Sequence, residues 1–186
     1  HADSIARIRY HPKHNAIITV GDDHIWKMWT NPDGQHILSA QGHTHWVSGV
    51  DVHPTKNLMA TSSGDNTVKL WDIHKGGCQH TFTEATHATW NVNFSDTGDF
   101  LAACSADHKS RIYDMNAMKL RQVLRGHTDS VNFITFQPFQ PIVATASTDK
   151  TVSTWDIRNG NTTQTFYGHQ NTVQHVTYNL QGTMLA

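Results

Sequence analysis

The fold of this chain can be predicted from one short stretch, Gly64-Asp65-Asn66-Thr67-Val68-Lys69-Leu70-Trp71-Asp72. The glycine, aspartate and asparagine at its start tolerate a tight turn. In the residues that follow, Val68 and Leu70 alternate with Lys69 and Trp71, as in a half-buried strand. The stretch therefore predicts a turn that leads into a β-strand.

The same pattern recurs along the chain at a step of 42 residues, without a gap. The aromatic position recurs at Trp29, Trp71, Tyr113 and Trp155, and the turn aspartate at Asp23, Asp65, Asp107 and Asp149. A histidine precedes each copy at His1, His43, His127 and His169, with Ala85 in the third place. Several residue types in one register indicate internal repeats.

Each repeat contains four short predicted strands joined by turns, and the second repeat shows them best. Its expected strands run over residues 46–52, 57–63, 67–72 and 78–83. One sheet of this size cannot bury both of its faces, whereas equivalent sheets stacked around an axis cover one another. The predicted fold is therefore all-β, a propeller in which each repeat forms one blade.

The repeat frame assigns the whole chain, residues 1–186, to one propeller region. The repeats lie at approximately 1–42, 43–84, 85–126 and 127–168, with an incomplete repeat at 169–186. Propellers close with roughly 4–8 blades, and about seven are expected here, so four full blades and part of a fifth predict a partial propeller. Expressed alone, the chain is expected to expose two open blade faces and to aggregate.

The repeats also carry a residue signature. Gly42-His43, Asp65 and Trp71-Asp72 resemble the Gly-His to Trp-Asp signature of the WD-repeat family. The signature recurs at Gly126-His127, Asp149 and Trp155-Asp156. The resemblance implies a buried hydrogen-bonded chain of histidine, strand serine or threonine, turn aspartate and tryptophan in each blade. By position, its members are His43, Thr61 or Ser63, Asp65 and Trp71 in the second repeat, and His127, Thr145 or Ser147, Asp149 and Trp155 in the fourth.

The sequence leaves two features of this hydrogen-bonded chain undecided. Alternation places Thr61 and Ser63 on the same side of a strand, so either hydroxyl can serve. The third repeat has Ala85 in place of the histidine and Tyr113 in place of the tryptophan. Its chain must be broken or rebuilt, with His87 as one candidate substitute, and we expect that blade to be the least rigid.

Composition argues against several classes of function. The formal net charge of −1 offers no basic field for nucleic acid or an anionic membrane, and no stretch approaches the ~20 apolar residues of a membrane span. Cys78 and Cys104 occupy non-equivalent positions, which does not favour a disulfide framework. His11 and His14 form a close pair, but no cysteine or carboxylate cluster accompanies it at zinc-ligand spacing. We expect no metal, cofactor, small-molecule substrate, nucleic acid or membrane as partner.

A catalytic interpretation of His43, Ser63 and Asp65 is also weighed, because these residue types form hydrolase triads. The trio recurs in the fourth repeat, and the tryptophan expected beside it competes for the hydroxyl. We therefore predict no catalytic residues, and an enzyme is the least favoured class.

Function is expected in residues that the repeat does not require. The candidates for partner binding are Thr44, His45, Trp46, His87, Asp129 and Phe139. Tryptophan is a good anchor for a partner protein, although Trp46 can equally pack into the adjacent blade. Phe139 occupies a turn where the other repeats have Lys13, Thr55 and Thr97, so packing within the repeat does not call for an apolar residue there.

Longer stretches favour one group within the family. These stretches are similar to the propellers of WD-repeat proteins in the ciliary central apparatus. They are residues 26–29, 42–46, 62–72 and 126–132, together with Pro138-Phe139. The resemblance implies a non-enzymatic scaffold of the axoneme, at the bridge between the two central microtubules, that supports motility. The implied partners are other central-apparatus components and microtubules. The alternative is a soluble WD-repeat adaptor in another assembly, such as a ubiquitin-ligase substrate receptor.

Overall fold

The computed structural model describes residues 1–11 and 13–186, and these residues form sixteen β-strands. Pro12, which shares a repeat position with Pro54 and Pro138, lies outside the described residues. The strands are β1 Ile5–His11, β2 Ala16–Gly21, β3 Ile25–Thr30, β4 His36–Gln41, β5 Val47–Val52, β6 Leu58–Ser63, β7 Val68–Asp72, β8 Cys78–Phe82, β9 Thr89–Phe94, β10 Phe100–Ser105, β11 Lys109–Asp114, β12 Lys119–Arg125, β13 Val131–Phe136, β14 Ile142–Ser147, β15 Val152–Asp156 and β16 Thr162–Phe166.

Consecutive strands pair antiparallel into four separate sheets of four strands. Blade 1 contains β1–β4, blade 2 β5–β8, blade 3 β9–β12 and blade 4 β13–β16. The first strands of neighbouring blades contact one another, so they lie innermost, around a common axis. The strands predicted for the second repeat match β5–β8, and each observed strand is one residue shorter at one end than predicted.

The innermost strands approach one another closely. Gly49 lies in β5, where a Cβ atom would meet the Cα of Asn91 in the neighbouring blade at 3.0 Å. The register between β5 and β6 shifts between Val47 and Gly49, so the innermost strand is kinked at this point. A larger side chain at Gly49 would therefore push blades 2 and 3 apart.

The hydrophobic core lies between the blades, and successive residues of one strand pack against opposite neighbours. Trp71 of β7 packs toward blade 1, where it meets Trp26 edge-on at a centroid distance of 5.9 Å. Leu70 points the other way, into a cluster with Val92 and Leu101 of blade 3. A third cluster joins blades 3 and 4 in the same manner. Face-to-face stacking of four equivalent sheets confirms the prediction of an all-β propeller with four complete blades.

The two ends of the blade array differ from its interior. Residues after β16 continue the pattern, because Val173 and Val176 are buried against blade 4 and Tyr178 bridges to Leu185. On blade 1, Ile8 is 59% exposed, whereas its equivalent Val50 is 2% exposed. In the part of the chain that the structure describes, no sheet covers this face of blade 1. The same residues include no helix long and apolar enough to cross a membrane.

Candidate protein-interaction site

A hydrogen-bonded chain runs through blade 2 beside the candidate binding residues. His43 Nδ1 lies 2.8 Å from Asp65 Oδ2, and His43 Nε2 lies 2.7 Å from the hydroxyl of Thr61. The indole N–H of Trp71 donates to the same hydroxyl at 2.8 Å. With Nδ1–H donated to Asp65, Nε2 accepts the proton of Thr61, so each buried polar group has a partner.

The hydrogen bonds also shift the acidity of Asp65. Burial alone raises the pKa of this carboxyl, but donation from His43 and Thr67 outweighs burial and holds the pKa well below its usual range. The carboxylate also accepts the backbone N–H of Thr44 at 3.1 Å. The hydrogen-bonded chain therefore anchors the turn that contains Thr44 to the interior of the blade.

The structure distinguishes between the two hydroxyls that the sequence left open. Thr61, fully buried, bridges His43 and Trp71. The Ser63 hydroxyl instead donates to the backbone oxygen of His45 at 3.2 Å and accepts the N–H of Asp65 at 3.1 Å. Among the described residues no hydrogen bond joins Ser63 to His43, so the triad-like trio lacks the contact between nucleophile and base that acyl transfer needs.

Blades 1 and 4 contain the same arrangement. In blade 4, Thr145 bonds His127 Nε2 at 2.7 Å and accepts the Trp155 N–H at 2.8 Å. His127 Nδ1 bonds Asp149 at 2.7 Å, while the Ser147 hydroxyl donates to a backbone oxygen. Blade 1 repeats the geometry with His1, Thr19, Asp23 and Trp29.

Blade 3 replaces the chain with an ion pair. The buried guanidinium of Arg111 donates to Asp107, with Nη1 3.1 Å from Oδ1. Burial raises the pKa of Asp107, but the hydrogen bonds of Arg111 outweigh it and lower the pKa to about 2. The interpretation of His87 as the substitute is wrong, because His87 is exposed and its ring bonds Thr86 at 3.1 Å.

Sequence reasoning missed Arg111, although a signal was present. The third repeat lacks three members of the chain at once, with Ala85, Ala103 and Tyr113 at the places of the histidine, threonine and tryptophan. Arginine occurs at the position of Lys69 in the same repeat. A buried arginine needs a carboxylate partner, and the turn aspartate is the only member of the chain that the third repeat keeps.

The predicted contact residues of blade 2 lie together on one rim. We call this surface the upper rim, formed in blade 2 by residues 42–46 and 64–67 and by their equivalents in the other blades. Thr44 and His45 are exposed, and Trp46 is half-buried. The Trp46 ring lies so close over Gly64 that a Cβ there would meet it at 2.5 Å.

Trp46 also stacks on Trp90 of blade 3, with ring centroids 4.9 Å apart and planes 19° from parallel. Trp90 donates its N–H to Ser130 of blade 4 at 3.0 Å. The Trp46 ring therefore packs against the adjacent blade, as one of the two alternatives predicted, and keeps one part exposed. Its contact with a partner stays a prediction. We call this pair the tryptophan ledge.

The tryptophan ledge borders the mouth of the central channel. This mouth encloses about 640 Å³ and is lined by Ala6, Arg7, Asp22, Trp46, Ser48, Trp90, Asn132 and Gln174. Burial lowers the pKa of Arg7, and the neighbouring Arg9 adds to the effect, yet a guanidinium stays charged at neutral pH. Arg9 pairs with Asp51 at 3.2 Å, whereas Arg7 has no carboxylate partner among the described residues. The mouth thus combines an aromatic surface with a cation, Arg7, whose guanidinium lies 5.0 Å from the ring of Phe133, and with the exposed carboxylate of Asp22.

The remaining predicted contact residues are spread over the molecule. His87 and Asp129 are exposed in the upper-rim turns of blades 3 and 4, and neither contacts Trp46 through a hydrogen bond or ring in the described residues. Phe139 lies at the opposite end of β13, on the lower rim. This lower rim is formed in blade 4 by residues 137–141 and 157–161 and by their equivalents. The structure thus brings Thr44, His45 and Trp46 together and separates them from Phe139.

The geometry agrees with comparisons to known proteins. Residues 34–72, 76–114 and 118–156 match the family described as WD domain, G-beta repeat. Each matched segment runs from the outermost strand of one blade to the third strand of the next, so the sequence unit links neighbouring blades.

The Flagellar WD repeat-containing protein Pf20 of Chlamydomonas reinhardtii is 47% identical over 43 residues, which cover 23% of this chain and only 7% of that relative. The comparison with this relative is therefore local. The three family matches, by contrast, cover more than half of the chain. On this basis, the chain belongs to the WD domain, G-beta repeat family.

Proposed function

We propose that this chain is a docking platform for other proteins, without catalytic activity of its own, and that the tryptophan ledge carries the main contact. The observation behind the proposal is the stack of Trp46 on Trp90 at the channel mouth, beside Arg7, which forms no salt bridge among the described residues. Thr44 and His45 border the same surface, while His87 and Asp129 supply polar positions in the next two blades.

The ledge has the physical properties of an interface hot spot. Tryptophan and arginine are enriched at such sites, and the tryptophan ring buries a large area with few rotatable bonds. The Trp46 ring is already ordered by its contacts with Gly64 and Trp90, so binding loses little conformational entropy at this side chain. A partner that covers the ledge would remove apolar surface from water and could place an acceptor next to Arg7.

We further propose that the platform belongs to the axonemal central apparatus of a cilium or flagellum. The support is the local similarity to a flagellar WD-repeat protein and the resemblance of the sequence to the central-apparatus protein sperm-associated antigen sixteen. In this proposal the chain is a structural component of the bridge between the central microtubules and supports motility. Its partners are other central-apparatus components, with microtubules as a further candidate, and its location is the cytoskeleton.

The test is imaging of the tagged full-length protein in a ciliated cell that lacks the native copy. We expect the wild type to label the axoneme and to remain there after detergent extraction. Trp46→Ala should be extracted, because it removes half of the tryptophan ledge. Ile37→Ala is the matched control, since it truncates an exposed apolar side chain on the outermost strand β4, away from both rims.

Each outcome decides between the functions. Diffuse wild-type signal would end the axonemal proposal and favour an adaptor such as a ubiquitin-ligase substrate receptor. Axonemal retention of Trp46→Ala equal to wild type would show that another surface carries the docking.

A further inference from the structure

Phe139 occupies a backbone conformation that phenylalanine rarely adopts. The turn Gln137–Gln140 closes with the N–H of Gln140 donating to the oxygen of Gln137 at 3.3 Å, and Pro138 takes its second position. Phe139 follows at φ 62°, in the left-handed region, where a type II turn prefers glycine or asparagine. The ring is 81% exposed, so packing does not compensate the unfavourable backbone. An exposed aromatic ring on such a backbone is a candidate for contact with something outside the chain.

The ring stands beside a groove between blades 3 and 4 on the lower rim. The groove has a volume of about 320 Å³ and is lined by Ser95, Asp96, Thr97, Asp99, Phe100, Phe136, Gln137, Phe139, Gln140, Pro141 and Ile157. The N–H of Phe139 donates to Asp96 Oδ2 across the blade boundary at 2.9 Å, which fixes the strained turn against blade 3. We call the apolar part of the lining, Phe100, Phe136 and Ile157, the floor of the groove. The hydrogen bond ties the blade 4 side of the groove to the blade 3 side.

The groove is lined by acidic side chains and by no basic one among the described residues. Its charged lining residues are Asp96 and Asp99, both exposed, and neither forms a salt bridge within the described part of the chain. Two arginines near the groove form salt bridges with other carboxylates. Arg121 pairs with Asp114 at 3.9 Å while its guanidinium lies over Phe100, and Arg158 pairs with Asp156 at 2.6 Å. An approaching segment therefore meets an apolar floor with an acidic border.

We infer that this groove binds a segment of a partner protein that inserts an apolar side chain and carries lysine or arginine beside it. The apolar side chain fills the space between Phe139 and Phe100, and the basic residues face Asp96 and Asp99. The inference rests on the proposed function as a docking protein, but it concerns a surface at the opposite end of the blades from the tryptophan ledge. An acidic or uncharged segment would leave the two carboxylates without a counter-charge.

The test is a selection of phage-displayed random peptides on the immobilised full-length protein, with soluble Phe139→Gly as one competitor and soluble Trp46→Ala as another. Peptides that need the groove survive competition by Phe139→Gly and are removed by Trp46→Ala. We expect these peptides to combine an aliphatic or aromatic residue with flanking lysine or arginine. Phe139→Gly should fold normally because glycine suits the turn, and Phe139→Asn provides a second variant with the same backbone preference.

One selected peptide, labelled with fluorescein, then gives the magnitudes by anisotropy. Phe139→Gly should weaken binding at least about tenfold, as loss of a central aromatic contact does. Asp96→Asn combined with Asp99→Asn should weaken it about three- to tenfold at low salt and less at high salt. The matched control is Asp3→Asn combined with Asp33→Asn, which removes two exposed charges away from the groove.

The outcomes separate the two proposals. Groove-dependent peptides that are acidic or uncharged, or the absence of any groove-dependent peptide, would overturn this inference. A selection that yields only peptides removed by Phe139→Gly and surviving Trp46→Ala would overturn it while supporting the tryptophan ledge. Peptides that depend on neither surface would count against both.

Discussion

Replacing Thr61 with valine tests the hydrogen-bonded chain of blade 2 most directly. Valine has nearly the shape of threonine, so Thr61→Val removes the hydroxyl without opening a cavity. The hydroxyl has two buried partners, His43 Nε2 at 2.7 Å and Trp71 Nε1 at 2.8 Å, and the substitution leaves both without a hydrogen bond. One buried unsatisfied group costs about 1–3 kcal/mol, so we expect the free energy of unfolding to fall by roughly 2–4 kcal/mol.

The assay is urea unfolding of the full-length protein followed by circular dichroism, with the free energy from linear extrapolation. Ser63→Ala should cost about 1 kcal/mol, because its bonds serve only the turn and lie partly in solvent. Thr83→Val, on an exposed residue, is the control and should stay within about 0.5 kcal/mol of wild type. A loss for Thr61→Val no greater than that of the control would refute the reasoning.

A double-mutant cycle with Trp71→Phe sharpens the result. Trp71→Phe removes the N–H that donates to Thr61. In the double variant, Thr61→Val therefore leaves no indole N–H without a hydrogen bond, and its cost in free energy of unfolding is smaller. We expect the two losses to be non-additive by about 0.5–3 kcal/mol. Strict additivity would mean that the two side chains do not share one hydrogen-bonded unit.

Three further predictions follow from the other blades and from the buried histidines. Arg111→Met should destabilise the protein by about 3–5 kcal/mol in urea unfolding because Asp107 would remain buried without its counter-charge, and a loss below about 1 kcal/mol would contradict the ion pair. Burial lowers the pKa of His11 and His53, and nearby His14 and Lys56 add to the effect. The unfolded chain therefore binds more protons below about pH 6.5, and the melting temperature should fall as the pH drops from there. A melting temperature that stays constant between pH 7 and pH 5 would be inconsistent with these shifts. Phe139→Gly should raise the melting temperature or leave it unchanged, since the left-handed turn position favours glycine, and a marked decrease would show that the ring packs within the fold.

The repeat, the class of fold and most members of the polar chain could be predicted from the amino-acid sequence. A fixed step of 42 residues with strand alternation specifies equivalent sheets, and such sheets can cover their apolar faces only by stacking on one another. The polar chain itself was implied by the resemblance to the WD-repeat family, and the register placed His43, Asp65 and Trp71 in it. These features are periodic along the chain, and a periodic pattern can be read without knowing which residues meet across space.

Contacts between particular side chains, within a blade and between blades, could be seen only in the folded structure. Thr61 rather than Ser63 meets Trp71, because two hydroxyls on one side of a strand differ only in depth. Arg111 rebuilds the chain of blade 3 through a partner in its own blade, whereas Trp46 finds Trp90 in the next. The groove beside Phe139 likewise forms where blades 3 and 4 pack. Such contacts depend on side-chain direction and blade spacing, which are set when the sheets stack around the axis.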